Sequence, residues 1–270
     1  MEEYIRNKKI INWIFKPLVV ITVCSMLIMP LFGEWYMANM RTVTNINSVL
    51  ILLTLVATFF FSRYKKADKY VESISNEIND SGSFQMNRSE EQADDLIVTV
   101  YNDFQEDLFA VHSNVSIEGL TFDFKAAKGK NIVYAVKIKR LTMERYCEYM
   151  DAVNQTTSFS NVRARQTVVC CFVCNEVAQD VIAVSKMTTT ISKTVVYPMI
   201  VNAAEKTAYF LSINGGRTAF AVKNILGYSD GIIPESAKSK EKFPFQKELE
   251  RKMLYFNLKD FKNGRFNPRA

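Results

Sequence analysis

Two runs without a charged residue dominate the first part of the chain. Residues 17–33 form a run of 17 and residues 42–62 a run of 21. Because a helix rises about 1.5 Å per residue, about 20 residues are needed to cross a hydrocarbon layer about 30 Å thick. The second run meets that length, and the first meets it when its helix begins near residue 11 and Lys16 extends to the headgroups. The pattern predicts a membrane α-helical hairpin, with spans at about 11–33 and 43–62.

Both runs are expected to be helical because lipid offers the backbone no hydrogen-bond partner. Pro30 is expected to kink the first helix without ending it. Trp13, Trp35 and Tyr36 occupy positions where aromatic side chains meet the membrane interface. A cleaved signal peptide followed by one span is the alternative, but no small-residue cleavage site follows the first run.

The distribution of basic residues predicts the orientation of this hairpin. The connection at 34–41 contains only Arg41 as a basic residue. Four basic residues precede the first span and four follow the second: Arg6, Lys8, Lys9, Lys16, Arg63, Lys65, Lys66 and Lys69. Since basic residues are retained on the cytoplasmic side, both termini are predicted to face the cytoplasm of a multi-pass protein in the plasma (inner) membrane.

The region after the second span divides into a stalk, a folded domain and a tail. Residues 64–79 place apolar side chains at helical spacing, which predicts that the second span continues as an amphipathic stalk. The segment Asp80-Ser-Gly-Ser83 is a helix-breaking sequence and marks the boundary of the domain. The predicted division is a hairpin at 1–62, a stalk at 63–82, a domain at 83–233 and a tail at 234–270.

Short apolar segments within 83–233 predict a cytoplasmic α/β (α+β) domain with a mixed β-sheet. A serine and four acids at 89–95 indicate the start of a helix that runs to about residue 111. Residues 96–101 are β-branched enough to form a strand instead, and the sequence leaves both open. The other predicted strands are 120–127, 132–139, 167–174 and 193–201, with a tight hairpin formed by 209–213 and 217–222 around Asn214-Gly-Gly216. Helices are predicted at 141–153 and 176–187.

Charge and cysteine content refine this picture. The formal net charge is +6, and residues 238–269 contain ten basic residues against four acidic ones, so the excess is concentrated in the tail. Cys171 and Cys174 form a lone CxxC within an apolar run, which favours buried thiols in a strand over a zinc site. No confident metal site and no cofactor are predicted.

Residues 119–137, followed by a helix, a buried strand and another helix, resemble the core of the PD-(D/E)XK restriction-endonuclease superfamily, including its Mrr-like branch. The resemblance implies two carboxylates that hold Mg²⁺ and a lysine that steadies the attacking water. Asp123 matches the first acid and Lys137 the lysine, which makes them the candidate catalytic residues, but Ala135 stands in place of the second acid.

Three acids at other positions were considered as replacements for the missing carboxylate: Glu106, Asp107 and Glu144. The competing interpretation is a generic hairpin with a solvated Asp123 and an extended Lys137. His112 is the only histidine and belongs to no catalytic motif, so it is expected to be an ordinary core or surface residue.

The tail combines basic and aromatic residues. Such a segment is suited to anionic headgroups or, as a second choice, to nucleic acid. The simpler alternative is a solvated helix at 244–258 with a disordered end. Nine residues are the candidates for binding a membrane surface or nucleic acid: Lys238, Lys240, Lys242, Lys247, Arg251, Lys252, Lys259, Lys262 and Arg265.

These patterns favour a non-catalytic binding or scaffolding subunit of a membrane-associated complex. Its expected partners are the lipid bilayer and a protein partner or further copies of the chain. The alternative is a membrane-tethered, Mg²⁺-dependent nuclease of the PD-(D/E)XK kind, or an inactive nucleic-acid-binding relative.

Overall fold

The computed structural model describes residues 2–158, 165–212 and 215–269. Two compact units are present. The first, called the helical unit, comprises Met1–Ser75 and Glu248–Ala270, and the second, called the α/β unit, comprises Asn76–Lys247.

The helical unit begins with two long apolar helices. Helix α1 (Glu2–Ile28) leads through a 3-10 turn (Met29–Phe32) and the short helix α2 (Gly33–Ala38) to helix α3 (Met40–Asn79). The segments Tyr4–Leu27 and Met40–Phe59 are long and apolar enough to cross a membrane, with mean hydropathies of 1.9 and 1.7. Chain 1–75 therefore contains the two predicted apolar helices.

Side-chain contacts hold α1 and α3 against each other in antiparallel directions. The hydroxyls of Thr22 and Thr54 are 2.9 Å apart, and Ser25 Oγ donates to Asn47 Oδ1 at 2.9 Å. Closer to the chain start, the rings of Phe15 and Phe61 stack at 4.8 Å. Hydroxyl and amide pairs of this kind join helices in an apolar environment, where polar groups need partners.

Two details of this region differ from expectation. The kink expected at Pro30 is wrong, because α1 ends at Ile28 and Pro30 lies in the 3-10 turn; proline lacks the N–H that a continued α-helix uses. The connection at 34–41 is mostly helical, since α2 occupies Gly33–Ala38. Helix α3 continues without interruption to Asn79, so residues 64–79 are helical, as the spacing of their apolar side chains indicates.

Eight strands form one mixed sheet in the described part of the α/β unit. They are β1 (Phe84–Gln85), β2 (Ala110–Ile117), β3 (Leu120–Lys128), β4 (Asn131–Leu141), β5 (Gln166–Val177), β6 (Thr189–Ile191), β7 (Thr194–Asn202) and β8 (Thr207–Phe210). Their order is β1-β8-β7-β5-β4-β3-β2, with β6 added beside β7. Strand β5 runs parallel to both β4 and β7, and the other pairs are antiparallel. The predicted mixed sheet is therefore present.

Helices cover both faces of this sheet. They are α4 (Ala93–Glu106), α5 (Met143–Ser158), α6 (Gln179–Val184) and α7 (Ala219–Leu226). Apolar residues of α4 and α7 pack in one core cluster and those of α5 and α6 in another. Strands β5 and β7 are buried almost throughout, as expected for parallel strands enclosed on both sides.

The structure resolves one open element and corrects three others. Residues 96–101 are helical within α4, because Leu96, Ile97 and Val100 share its buried face. Residues 110–111, assigned to the end of that helix, instead begin β2. The helix predicted at 176–187 is shorter, because β5 extends to Val177.

The strand predicted at 217–222 is wrong, since α7 begins at Ala219. Ala221, Val222, Ile225 and Leu226 are all buried, so the apolar positions follow helical spacing beyond the predicted strand. The helix ends where Gly227 adopts a φ of 81°, a left-handed conformation that suits glycine. Residues 213 and 214, on which the predicted turn depended, lie outside the described residues.

Two helices complete the chain. Helix α8 (Pro244–Met253) is followed by the short helix α9 (Leu258–Lys262). The tail therefore contains two separate helices, and α8 is shorter than the helix expected at 244–258. In the helical unit, its end packs on the chain start: the ring of Phe256 meets that of Tyr4 at 5.0 Å.

Candidate functional site

The candidate catalytic pair lies where β3 and β4 separate. Paired residues run from Lys128 and Asn131 to Phe124 and Ala135, and the ladder then stops although both strands continue. Beyond that point, the backbone N–H of Lys137 donates to Asp123 Oδ2 at 2.6 Å. The Asp123 carboxylate thus satisfies an N–H group that has lost its strand partner.

The regular alternation of side chains between the two faces of the sheet is broken in β3 at Asp123. In a regular strand the two neighbours of a residue point to one face, whereas Phe122 and Phe124 belong to core clusters on opposite faces. Asn114 of β2 lies opposite Asp123, between two registered pairs, and has a φ of 51°. This local twist separates the strands and leaves Asp123 half-buried at the opening.

The side chain of Lys137 is held by a second carboxylate, that of Asp94. Lys137 Nζ forms an ion pair with Asp94 Oδ1 in the first turn of α4. The hydrogen bond that the Lys137 ammonium donates to Asp94 is the main reason that the pKa of Lys137 rises above its ordinary value. The charges of Asp94 and Asp123 add to this rise, and partial burial opposes it. Lys137 therefore contacts two carboxylates, Asp94 through its ammonium and Asp123 through its backbone N–H.

Asp94 is not one of the acids that the sequence suggests as a replacement for the missing carboxylate. Of those acids, Glu106 and Asp107 lie at the other end of α4, about 18 Å away by helical rise. Asp107 is engaged there by Lys223 at 2.5 Å, and Glu144 is exposed on α5. The acids at the start of α4 had been interpreted only as helix-dipole residues, which hid their second use.

This arrangement does not fit a magnesium ion as it stands. Mg²⁺ prefers six oxygen ligands in octahedral geometry. One carboxylate, Asp94, is neutralised by Lys137, and an oxygen of Asp123 is occupied by a backbone N–H. Ala135 is fully buried in the core cluster that packs against α4, so the usual position of the second acid is apolar.

The nine candidate residues of the tail are divided between the two units. Lys238, Lys240, Lys242 and Lys247 belong to the α/β unit and the other five, from Arg251 to Arg265, to the helical unit. Lys238 pairs with Glu235 at 2.5 Å, and Arg251 with Glu248 at 2.9 Å. These two basic residues are therefore engaged by nearby glutamates.

Most tail aromatic rings are used in packing. In the helical unit, Phe261 lies against Tyr70 at 4.8 Å, and Phe256 contacts Phe266 at 5.2 Å. In the α/β unit, Phe243 stacks on Phe245 at 5.5 Å. Tyr255, by contrast, is 79% exposed. Few of these rings are therefore available to stack on bases.

A buried ion pair in the α/β unit escaped the sequence reasoning altogether. Lys186 Nζ lies 2.8 Å from Asp80 Oδ2, and the two side chains are 0% and 2% exposed. Lys186 also donates to the carbonyl of Phe210 at 2.9 Å. Asp80 accepts from Ser212 twice, from its N–H at 3.0 Å and from its hydroxyl at 2.6 Å. Each charge of the pair thus has the opposite charge and at least one further hydrogen-bond partner inside the protein.

This buried pair joins four segments of the α/β unit. Asp80 directly follows α3, Lys186 follows α6, and Ser212 follows β8. Gln246 of α8, itself buried, donates to the carbonyls of Glu77 and Asp80 and so caps the end of α3. Burial lowers the pKa of Lys186, and the neighbouring Asp80 carboxylate opposes that shift.

The remaining candidates are structural. Cys170, Cys171 and Cys174 are buried in β5, as predicted for the CxxC segment, and burial raises the pKa of each thiol. Among the described residues no group of three or more metal-ligating side chains occurs. His112 is exposed on β2, in line with an ordinary surface residue.

Comparison of the chain with protein-family models, with curated proteins and with solved structures finds no match. Inference about function therefore depends on the residues and their geometry.

Proposed function

We propose that this chain is an integral membrane protein whose α/β unit serves as a non-catalytic binding or scaffolding module on the cytoplasmic side. The main support for a membrane anchor is that the two apolar helices are exposed. Only 6% of each apolar window is buried within the protein. A soluble helix of that composition would hide one face in a core, so lipid is the environment that satisfies both.

The basic residues support a topology with both termini in the cytoplasm of the plasma (inner) membrane. Lysines and arginines flank the outer ends of α1 and of the apolar part of α3, whereas Arg41 is the sole basic residue in 34–41. By the positive-inside rule, the ends with basic residues stay in the cytoplasm. Any activity of the α/β unit is then exercised at the inner face of the membrane.

Strand β2 supports a binding role for the α/β unit. It is the terminal strand of the sheet, and no described residue pairs with its outer edge. Ala110, His112, Ser113 and Ser116 are exposed along it. An open edge strand offers backbone donors and acceptors to an added strand from a partner or from a second copy. The kink at Asn114 limits such pairing to a short segment.

The geometry around Asp123 argues for binding rather than catalysis. Its carboxylate accepts the N–H of Lys137, and the ammonium of Lys137 is paired with Asp94. For catalysis, Lys137 would have to leave Asp94 to hold the attacking water. The carboxylates would have to leave Lys137 to hold a metal ion. The three residues, as arranged, tie β3 and β4 to the start of α4.

A membrane-tethered nuclease, or an inactive nucleic-acid-binding relative, is the second candidate. The observation that favours it is the convergence of Asp94 and Asp123 on Lys137, since α4 supplies a carboxylate where Ala135 supplies none. Cleavage of DNA or RNA by the purified chain in Mg²⁺, abolished by Asp123→Ala and by Lys137→Ala, would favour this candidate over the first.

The anchor is tested by extraction of membranes that contain the full chain. We expect the protein to remain in the pellet at pH 11 and to dissolve only in detergent. Cysteine accessibility tests the topology: a cysteine placed at Asn39 should react with an impermeant maleimide from outside intact cells, and one placed at Asn267 should not. Release by carbonate alone would refute the anchor.

The binding role is tested at the edge of β2. We expect a complex purified in mild detergent to lose its protein partner, or its second copy, when Ser113→Lys places a charge on the edge strand. Gln179→Lys introduces the same charge at an exposed position of α6 and is the matched control. Equal loss in both variants, or no complex at all, would contradict the proposal.

A further inference from the structure

The helical unit contains a cavity of about 600 Å³ where its first apolar segment begins and its second ends. Its walls come from the start of α1, from the part of α3 after the apolar segment, and from the end of the tail. Asn7, Tyr64, Lys259 and Lys262 supply polar groups, and Leu254 and Tyr255 lie at its border. A pocket built from three separate stretches of chain is a product of the fold rather than of one amphipathic helix.

Packing holds these walls in place. The hydroxyl of Tyr4 hydrogen-bonds to Asp68, and Lys8 pairs with the same carboxylate at 3.2 Å. The ring of Tyr4 also meets Phe256 edge to face at 5.0 Å. Phe256 is only 2% exposed, so the tail is fixed at this point.

The cavity lies at the depth of lipid headgroups when the apolar helices are in the membrane. Tyr64 follows the last residue of the apolar window, Phe59, by five positions, or about 8 Å of helical rise. The polar layer of a bilayer leaflet extends about 5–8 Å beyond the hydrocarbon core. The mouth of the cavity therefore meets headgroups rather than acyl chains or bulk water.

The polar groups of the cavity suit an anion. Lys259 and Lys262 are exposed, and neither forms an ion pair with a described residue. Lys262 Nζ lies 5.9 Å from the centre of the Tyr64 ring, which orients it toward the cavity. Four further lysines lie on the same ends of α1 and α3, and they strengthen the positive potential: Lys9, Lys65, Lys66 and Lys69.

Two apolar side chains beside these lysines point outward. Leu254 is 66% and Tyr255 79% exposed, although Met253 and Phe256 on either side are buried. Exposed apolar residues beside two lysines match the amphiphilic character of an anionic phospholipid. Its phosphate is negatively charged, whereas its glycerol and upper acyl chain are uncharged. A soluble anion would give Leu254 and Tyr255 nothing to contact.

We propose that this cavity binds the headgroup of an anionic phospholipid, with Lys259 and Lys262 contacting the phosphate and Leu254 and Tyr255 entering the interface. This inference rests on the proposed membrane anchor and makes it more specific. It assigns the end of the tail a lipid-binding role that the lysines of the α/β unit do not share.

The test is a titration of the full chain in neutral detergent, followed by native mass spectrometry. The probes are dioctanoyl-phosphatidylglycerol and dioctanoyl-phosphatidylcholine, with glycerol 1-phosphate and a short single-stranded oligonucleotide as competitors. The double variant Lys259→Gln, Lys262→Gln is compared with Lys240→Gln, Lys247→Gln, which removes two exposed lysines from the α/β unit.

We expect one phosphatidylglycerol to bind in preference to phosphatidylcholine. The Lys259, Lys262 variant should weaken its affinity about 25-fold, and the control variant less than twofold. An equal loss of affinity in both variants would overturn the proposal of a defined site, because it would indicate binding to a diffuse basic surface. Displacement by glycerol phosphate or by the oligonucleotide at the lipid's own concentration would overturn a lipid ligand.

Failure of the anchor is distinguishable from failure of this site. A chain released from membranes at pH 11 contradicts the anchor, whatever it binds. A chain that stays in the pellet but shows no preference for phosphatidylglycerol contradicts only the headgroup site. The double variant Leu254→Ser, Tyr255→Ser provides a second test. We expect it to lower the affinity for phosphatidylglycerol and to leave competition by glycerol 1-phosphate unchanged.

Discussion

The buried pair of Lys186 and Asp80 provides the sharpest test of how the α/β unit is held together. Replacing Lys186 by methionine keeps an unbranched side chain of similar length and removes the charge. It deletes the ion pair to Asp80 and the hydrogen bond to the Phe210 carbonyl. The carboxylate of Asp80 then stays buried with Ser212 as its hydrogen-bond donor and no opposite charge.

The expected cost follows from that burial. Removing one partner of a buried ion pair destabilises a protein by about 3–5 kcal/mol, because the other charge is left uncompensated. The side chains of Lys186 and Asp80 are 0% and 2% exposed, so water cannot replace the lost partner. We therefore expect Lys186→Met to reduce the free energy of unfolding by about 4 kcal/mol, which is a large share of a typical total of about 5–15 kcal/mol.

Pulsed alkylation in urea measures this change in the intact chain. The three buried thiols of β5 report unfolding of the α/β unit: Cys170, Cys171 and Cys174. Tryptophan fluorescence would not, since Trp13 and Trp35 lie in α1 and α2. The matched control is Lys206→Met, which removes an exposed pair with Glu91 at 3.3 Å and should cost less than about 1 kcal/mol.

A double-mutant cycle separates the pair from its surroundings. We expect Lys186→Met with Asp80→Leu to cost at least about 2 kcal/mol less than the sum of the single variants, because neither charge remains buried. A cost for Lys186→Met no greater than that of Lys206→Met, or additive single effects, would refute the reasoning.

Three further predictions concern other parts of the α/β unit. Gly227→Ala should lower the melting temperature clearly more than Gly119→Ala, since both have a φ of 81° but only at Gly227 would a new Cβ lie 2.4 Å from the Asn87 carbonyl oxygen. Iodoacetamide at pH 8 should label Cys147 in the folded chain and spare the thiols of β5 until urea unfolds it, because burial raises their pKa. The hydrogen bond from Lys223 lowers the pKa of Asp107 below its ordinary value of 3.8, so its stabilisation is present above that pH and is lost as pH falls below it. Lys223→Met should therefore flatten the loss of stability measured between pH 5 and pH 2.

Each of these has an outcome that would contradict it. Equal melting temperatures for the two glycine variants would mean that the Asn87 carbonyl moves aside. Labelling of Cys171 in the folded chain would place β5 at the surface. An unchanged acid profile in the Lys223 variant would show that other carboxylates set the pH dependence.

The local sequence pattern is sufficient to predict secondary structure where a segment's own residues determine its conformation. The uncharged runs at 17–33 and 42–62 specify two apolar helices, because length and composition alone decide whether a helix can be buried in an apolar medium. The β3–β4 hairpin and the buried strand β5 were predicted for the same reason. Each is bounded by turn residues or formed by a continuous apolar run.

Prediction failed or stayed open where two periodicities compete within a short window. Residues 217–222 alternate as a strand, and only Ile225 and Leu226 reveal the helical spacing of α7, so the predicted strand is wrong. Four of the residues at 96–101 are β-branched, which left helix and strand open, and they form part of α4 because their buried face meets the sheet. In both segments tertiary packing overrides a weak local preference.

The apolar helices and the β3–β4 hairpin could be derived from the sequence by itself, since each depends on residues that are near one another in the chain. Asp123 and Lys137 were selected through a resemblance to a known superfamily, and their catalytic role stays a prediction. Only the tertiary structure brought Asp94 to Lys137 across 43 positions, Asp80 to Lys186 across 106, and Tyr4 to the Asp68 carboxylate across 64. Charge pairs and cavities of this kind depend on where strands separate and on which helix covers which face. A single sequence contains no periodic signal for either.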